Sequence, residues 1–154
     1  MKLQMTGKFF FEAPIEEVWG FLFDIEALTH CMPGVEEIRA IDDKNYVGVI
    51  KQKVGPVSAR FEFTTHLKEV DPPRHINVVG RGSDKGFVGP FSHEIIIDLT
   101  EVSKDQVEIA YDVNVDIASV PFFGKMILES RAKSLEKEFT TNLQEKLKSL
   151  KAQR

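Results

Sequence analysis

Val107-Glu108-Ile109-Ala110-Tyr111-Asp112-Val113-Asn114-Val115-Asp116-Ile117 puts an apolar side chain at nearly every second position. A few residues later the period changes: Leu128, Ala132, Leu135, Phe139, Leu143, Leu147 and Leu150 recur at steps of three and four. A period of two sends successive side chains to opposite faces of a strand, so the first stretch is a strand with one wet and one apolar face. A period near 3.6 lines one side of a helix. After Pro121 only Gly124 interrupts it, which predicts a helix of roughly 27 residues and about 40 Å. So long an apolar stripe needs a broad surface to cover it.

The chain upstream supplies that surface. Alternation is equally clean in Val57, Ala59, Phe61, Phe63 and Leu67, and in Phe91, His93, Ile95, Ile97 and Leu99, with Arg60, Glu62 and Asp98 among the polar residues between them. Turn signals fall at Asp42-Asp43-Lys44-Asn45, Gly55-Pro56, Asp71-Pro72-Pro73, Gly82-Ser83-Asp84-Lys85-Gly86 and Ser103-Lys104-Asp105, dividing Val35 to Ile117 into six antiparallel strands. Leu3, Met5, Phe9 and Phe11 form one more strand, to about Glu12. Pro14 then suits a helix's first position and Glu16 and Glu17 its dipole, while Ile15, Val18, Trp19 and Leu22 share a face. Asp24 caps a second short helix carrying Ile25, Leu28 and Met32, which Pro33-Gly34 ends. The expected fold is a single α+β domain: a seven-stranded curved antiparallel sheet around a long C-terminal helix, with two short helices after the first strand.

Composition narrows the function. With 154 residues, 42% hydrophobic and 29% charged, the chain has globular usage and the length of one domain. A net charge of −4 with interspersed signs argues against a nucleic-acid partner. Cys31 is the only cysteine, so no intrachain disulfide can form, and a reducing, cytoplasmic location is expected. The strand-like N-terminus does not read as a signal peptide, and no apolar run approaches the roughly 20 residues that cross a bilayer. Lys133, Lys146, Lys148 and Lys151 alternate with Glu129, Glu136, Glu138 and Glu145, the pattern of a solvated helix face rather than a polybasic patch.

No residue set points to catalysis or to a metal or other cofactor. Gly80-Arg81-Gly82-Ser83-Asp84-Lys85-Gly86 is spaced one residue too long for a dinucleotide loop and reads as a hairpin turn. His30 and Cys31, adjacent on a helix, diverge, and His66 and His75 lie elsewhere. There is no nucleophile elbow and no inward pair of carboxylates.

The unusual count is phenylalanine, twelve against one Trp and two Tyr. A long helix resting on a curved sheet touches it at the edges and leaves space in the middle, to be filled by large side chains or by a ligand. For a ligand site the expected walls are Phe9, Phe61, Phe63, Phe91, Tyr111 and Val113, with Trp19, Met32, Phe122, Ile127 and Ala132 closing the ends. His93 shares its strand face with Phe91 and Ile95, so it points inward, either as a core histidine bonded to protein or water or as a ligand contact. Val120-Pro121-Phe122-Phe123-Gly124-Lys125-Met126-Ile127-Leu128 reads either as the first turn of the helix packing down on the sheet or as a lid at the cavity mouth with Gly124 as its soft point.

Phe11-Glu12-Ala13-Pro14-Ile15-Glu16-Glu17-Val18-Trp19-Gly20-Phe21-Leu22-Phe23-Asp24, followed by Leu28 and Cys31-Met32-Pro33-Gly34-Val35-Glu36, resembles the opening of the CoxG-like family of carbon monoxide dehydrogenase subunits. Gly55-Pro56-Val57, Val70-Asp71-Pro72-Pro73, Gly80-Arg81-Gly82 and Gly86-Phe87 continue the likeness in order. The resemblance implies a helix-grip fold of the START, polyketide cyclase and SRPBCC superfamily with a deep apolar cavity. It also implies a lipid or quinone as ligand, a molybdenum hydroxylase of the carbon monoxide dehydrogenase type as partner, and transient membrane contact. It carries over no catalytic residue. Some members have a membrane-attaching C-terminal extension, whereas this sequence stops at Lys151-Ala152-Gln153-Arg154, so an anchoring role is not expected. Three functions remain open: noncatalytic binding of an apolar or amphipathic molecule, an accessory or assembly factor acting through protein contacts, and a cyclase-type enzyme.

Overall fold

A computed structural model of the chain describes residues 2–24, 31, 34–54, 57–83, 89–117 and 124–152, and at 52–54, 57–59, 124–128, 132 and 150–152 it describes the backbone alone. The strands are β1 (Lys2–Phe11), β2 (Val35–Ala40), β3 (Asn45–Val54), β4 (Val57–Asp71), β5 (His75–Ser83), β6 (Pro90–Ser103) and β7 (Gln106–Ile117). They form one seven-stranded sheet in the order β1-β7-β6-β5-β4-β3-β2, and all six neighbouring pairs are antiparallel. The consecutive strands from β2 to β7 therefore make a meander, and β1 is laid along its last member. Ladder irregularities at Val35/Glu37, Leu67/Glu69 and Glu101/Ser103 bend and twist the long strands, as an unpaired extra residue does.

The helices follow the sequence pattern closely. α1 spans Ile15–Leu22, with Glu16 and Glu17 in its first turn and Ile15, Val18, Phe21 and Leu22 buried. The second short helix expected after Asp24 falls largely outside the described residues; Cys31 alone of it is described, and it is helical. Gly34, at φ 81°, reverses the chain into β2 in a conformation that disfavours any side chain. α2 spans Gly124–Ala152, 29 residues, so Gly124 is part of the long helix instead of interrupting it.

The register gives each strand an inner and an outer face. Cross-strand partners share a face, so Gly80, His93 and Val115 lie in one inner row, and Thr64, Arg81, Ser92 and Asp116 in one outer row. Ile117, cross-strand from Phe91, is buried at one end of the inner face, and the main buried cluster of the described residues occupies the other. There Phe11, Ile76, Leu99, Val107 and Ile109 of the sheet meet Val18 and Phe21 of α1, Cys31, and Leu143 and Leu147 of α2. Asn142 of α2 and Cys31 clasp each other: the Asn142 Nδ2 donates to the Cys31 carbonyl at 3.1 Å, and the Cys31 thiol donates to the Asn142 carbonyl at 3.7 Å. Full burial of Val18 and Val107 shows how tightly this end is closed.

Candidate functional site

Beyond the core, the inner face changes character. Phe61, Phe63, Phe91, His93, Ile95, Tyr111, Val113 and Val115 are only half-buried, although every one of them points to the helix side of the sheet. The α2 backbone comes repeatedly close to β1 and β3, near the two margins of the sheet. The middle strands between them carry the half-buried aromatic residues. This is the arrangement expected of a straight rod lying in a curved trough, where contact at the margins leaves unfilled width at the centre.

Glycines on the adjoining strand face four of the inward rings. Gly7 faces Tyr111, Gly48 faces Phe63, Gly80 faces His93, and Gly82 faces Phe91. A Cβ added at Gly82 would lie 2.6 Å from Phe91 Cζ, and one at Gly80 would lie 2.6 Å from His93 Nε2. Since real Cβ contacts are never that short, each ring lies down over a neighbouring backbone instead of standing up towards the helix. Reclining rings floor the trough. They also meet one another: Phe61 and Phe91 stand edge to face with centroids 5.4 Å apart, as do Phe63 and His93 at 6.3 Å, and His93 is tilted against Phe91 at 6.2 Å.

Two polar contacts punctuate this apolar floor. His93 Nε2 sits 3.2 Å from Thr65 Oγ1, whose hydroxyl donates to the Val79 carbonyl at 3.4 Å. Burial pushes the His93 pKa below its ordinary value, so the ring is neutral at pH 7 and above. On β7, four residues from the Val115 that pairs with His93, the Tyr111 hydroxyl donates to Glu136 Oε1 of α2 at 2.9 Å. Burial and this carboxylate together push the Tyr111 pKa up to about 12, which keeps the phenol protonated.

The residues expected at the site from sequence divide clearly. Phe61, Phe63, Phe91, His93, Tyr111 and Val113 come together on the half-covered inner face. Phe9 and Trp19 pack against the core at the other end, with Trp19 stacked on Phe23 at 5.0 Å. Met32 and Phe122 lie outside the described residues, and Ile127 and Ala132 are helical with side chains outside them. Thr65 and Glu136 were not foreseen. Thr65 is inward by the same alternation that runs through Phe63 and Leu67. Glu136, assigned by its charge pattern to a solvated face, is half-buried under Tyr111; it stands four residues after Ala132 and three before Phe139, on the helix's inward stripe.

A separate hollow of about 850 Å³ opens on the outer face, bordered by Thr64, His66, Val79, Arg81, Ser92 and Asp116. Most of its bordering side chains are polar, and its lining also takes in Tyr46, Thr65, Gly80, Gly82 and Phe91 of the inward-facing rows. Among the described residues no group of three or more His, Cys, Asp or Glu could hold a metal ion, and no helix is long and apolar enough to cross a membrane.

A seven-stranded antiparallel sheet gripping a long C-terminal helix, with half-buried aromatic residues on the face between them, is the helix-grip fold. The sequence model of the CoxG family of carbon monoxide dehydrogenase subunits matches residues 7–148, and the chain belongs to that family. Among solved structures, a conserved protein from Geobacillus kaustophilus is similar at TM-score 0.82 and 25% identity, covering 96% of this chain and 97% of its own. The Zhui aromatase/cyclase from Streptomyces sp. R1128 shares the fold at TM-score 0.71 and 16% identity, over 97% of this chain and 96% of its own. A START superfamily protein from Mycobacterium smegmatis does so at TM-score 0.71 and 12% identity, over 96% and 98%. Comparison with curated protein sequences gives no significant match.

Proposed function

We propose that the chain is a noncatalytic carrier that holds one apolar or amphipathic molecule, a lipid or a quinone-like compound, between the middle strands and α2. The observation that carries this reading is the half-buried state of Phe61, Phe63, Phe91, Ile95 and Val113 on a face otherwise turned to the helix. Leaving such side chains part-exposed forgoes about 25 cal/mol for every Å² of apolar surface, and a ligand laid on them recovers it. Family membership supports a carbon monoxide dehydrogenase-type molybdenum enzyme in the cytoplasm as the partner this cargo serves.

The cyclase-type alternative requires two inward acid–base groups within reach of one substrate atom. His93 and Tyr111 stand on adjacent strands, with His93 paired to Val115 and Tyr111 to Ile97. Four residues of strand separate them, about 13 Å, and the Tyr111 hydroxyl is already engaged by Glu136. That separation favours holding a molecule over transforming it.

Native mass spectrometry of the purified protein, followed by organic extraction, tests the carrier reading. The expected result is a stoichiometric lipid or quinone-like adduct. A mass that stays at the bare chain after incubation with quinones and long-chain lipids rejects the reading and leaves the accessory-factor function.

A further inference from the structure

We propose that His93 makes its end of the trough selective for a ligand that donates a hydrogen bond, a hydroxyl-bearing amphiphile such as a long-chain alcohol, phenol or hydroquinone, over an ether or carbonyl compound of the same shape. The inference rests on the carrier reading of this face and concerns what that face selects.

The argument is one of counting donors and acceptors. Thr65 has a single hydroxyl hydrogen, directed to the Val79 carbonyl at 3.4 Å. Its two contacts, to the Val79 carbonyl and to His93 Nε2 at 3.2 Å, are satisfied together only when Nε2 carries the ring hydrogen and donates it to Thr65, which assigns the Nε2–H tautomer. A neutral imidazole has only one N–H. Nδ1 is therefore a bare acceptor, and no described residue bonds to it.

Position makes that acceptor useful. The Cε1–Nε2 edge of the ring lies over Gly80, which commits Nε2 to the β4 side and leaves Nδ1 away from the Thr65 bond. Phe63 and Phe91 flank the ring, so its surroundings are apolar and low in dielectric, where a hydrogen bond is stronger and an unsatisfied acceptor costs more. A ligand hydroxyl at Nδ1 completes the chain from ligand to His93 to Thr65 to the Val79 carbonyl, with every hydrogen directed the same way. An ether or carbonyl oxygen at the same place would set lone pair against lone pair. Tyr46, cross-strand from Thr65, carries a further inward hydroxyl one strand closer to the sheet edge.

The test compares two isomers, 1-dodecanol and methyl undecyl ether, as displacers of the neutral fluorescent probe N-phenyl-1-naphthylamine from the intact protein at neutral pH. The alcohol is expected to displace the probe at a concentration lower by about fivefold or more, the factor one net hydrogen bond supplies. In His93→Phe, a ring that still covers Gly80, the two isomers are expected to displace within about twofold of each other, which isolates His93 as the source. Equal displacement by the wild-type protein, or a preference that persists in His93→Phe, overturns the selectivity while leaving the carrier reading intact. A protein that binds neither the probe nor either isomer overturns the carrier reading, and the selectivity with it.

Discussion

The Tyr111 hydroxyl and the Glu136 carboxylate, 2.9 Å apart, tie the middle of β7 to the middle of α2 at the line where the closed core gives way to the half-covered floor. Phe139, Leu143 and Leu147 pack on the core side of that tie. Tyr111→Phe removes the donor, keeps the ring over Gly7, and leaves Glu136 half-buried without its partner. Unfolding in urea should show a loss of about 1–2 kcal/mol with an unchanged slope. An unchanged midpoint would show that solvent already satisfies Glu136.

Two glycines should respond in opposite directions to the same substitution. In Gly80→Ala the new methyl meets the Thr64 carbonyl and the His93 ring, so the sheet or the ring must move, at a cost of about 1–3 kcal/mol. In Gly20→Ala, inside α1, it meets nothing within 4 Å, and helix propensity should raise stability by about 0.5–1 kcal/mol. Thermal melts of the two variants beside the parent check both signs.

Cys31 is 2% exposed, and burial raises its thiol pKa, opposed only by the Lys146 charge. Reaction with an aromatic disulfide reagent at neutral pH should be slow in the folded protein and immediate in denaturant. Asn142→Ala, which strips the Cys31 carbonyl of its side-chain donor, should destabilise by about 1–3 kcal/mol and speed the thiol's reaction. A thiol that reacts at the denatured rate without denaturant would refute the clasp.

The two histidines should pull stability in opposite directions as pH changes. The hydrogen bond to Asp98, 2.6 Å from Nδ1, raises the His75 pKa above its ordinary value against a smaller burial effect, and Glu69 at 3.3 Å from Nε2 adds to it. His75 therefore contributes fully below its unfolded pKa of about 6.5 and stops contributing as pH rises through the higher folded value. His93, lowered by burial, contributes fully above about 6.5 and loses that contribution as pH falls through its lower folded value. The penalty of His75→Gln should thus be larger at about pH 5.5 than at about pH 8.5, and His93→Phe should gain on the parent at the acid end. A side chain 29% exposed limits the His75 effect through solvent screening. Imidazole proton shifts that titrate in the reverse order would contradict both assignments.

The strands and helices were legible because one side of each meets water. Alternation through Phe91, His93 and Ile95 and the three-and-four spacing through Phe139, Leu143 and Leu147 follow from that single fact. Which half of the inner face is core was not legible, because it depends on where α1 lands, which is against β6 and β7: Phe9 and Trp19 are as large and apolar as Phe63 and Phe91, yet the first two pack against the core and the others lie beyond it. The reclining rings were hidden for a similar reason. Gly48, Gly80 and Gly82 gain their meaning only from the residue across the ladder, and register between strands cannot be read along one strand. Glu136 was hidden by its charge, which suggested solvent although its helical phase pointed inward.

The pairing of β1 with β7 sets the order in which the chain can mature. Lys2 lies opposite Asp116, and Phe11 opposite Val107, so the first strand of this sheet to be synthesised waits for the sheet's last strand. The meander from β2 to β7 can zip up neighbour by neighbour as it emerges, but β1, with α1 beside it, has no partner until synthesis has passed Ile117. Until then its apolar face is open to solvent and to other chains, a long-range closure of the kind that slows folding and exposes a strand to mispairing. The trough therefore gains its β1 margin, and α2 the surface on which it rests, only after β7 has been made.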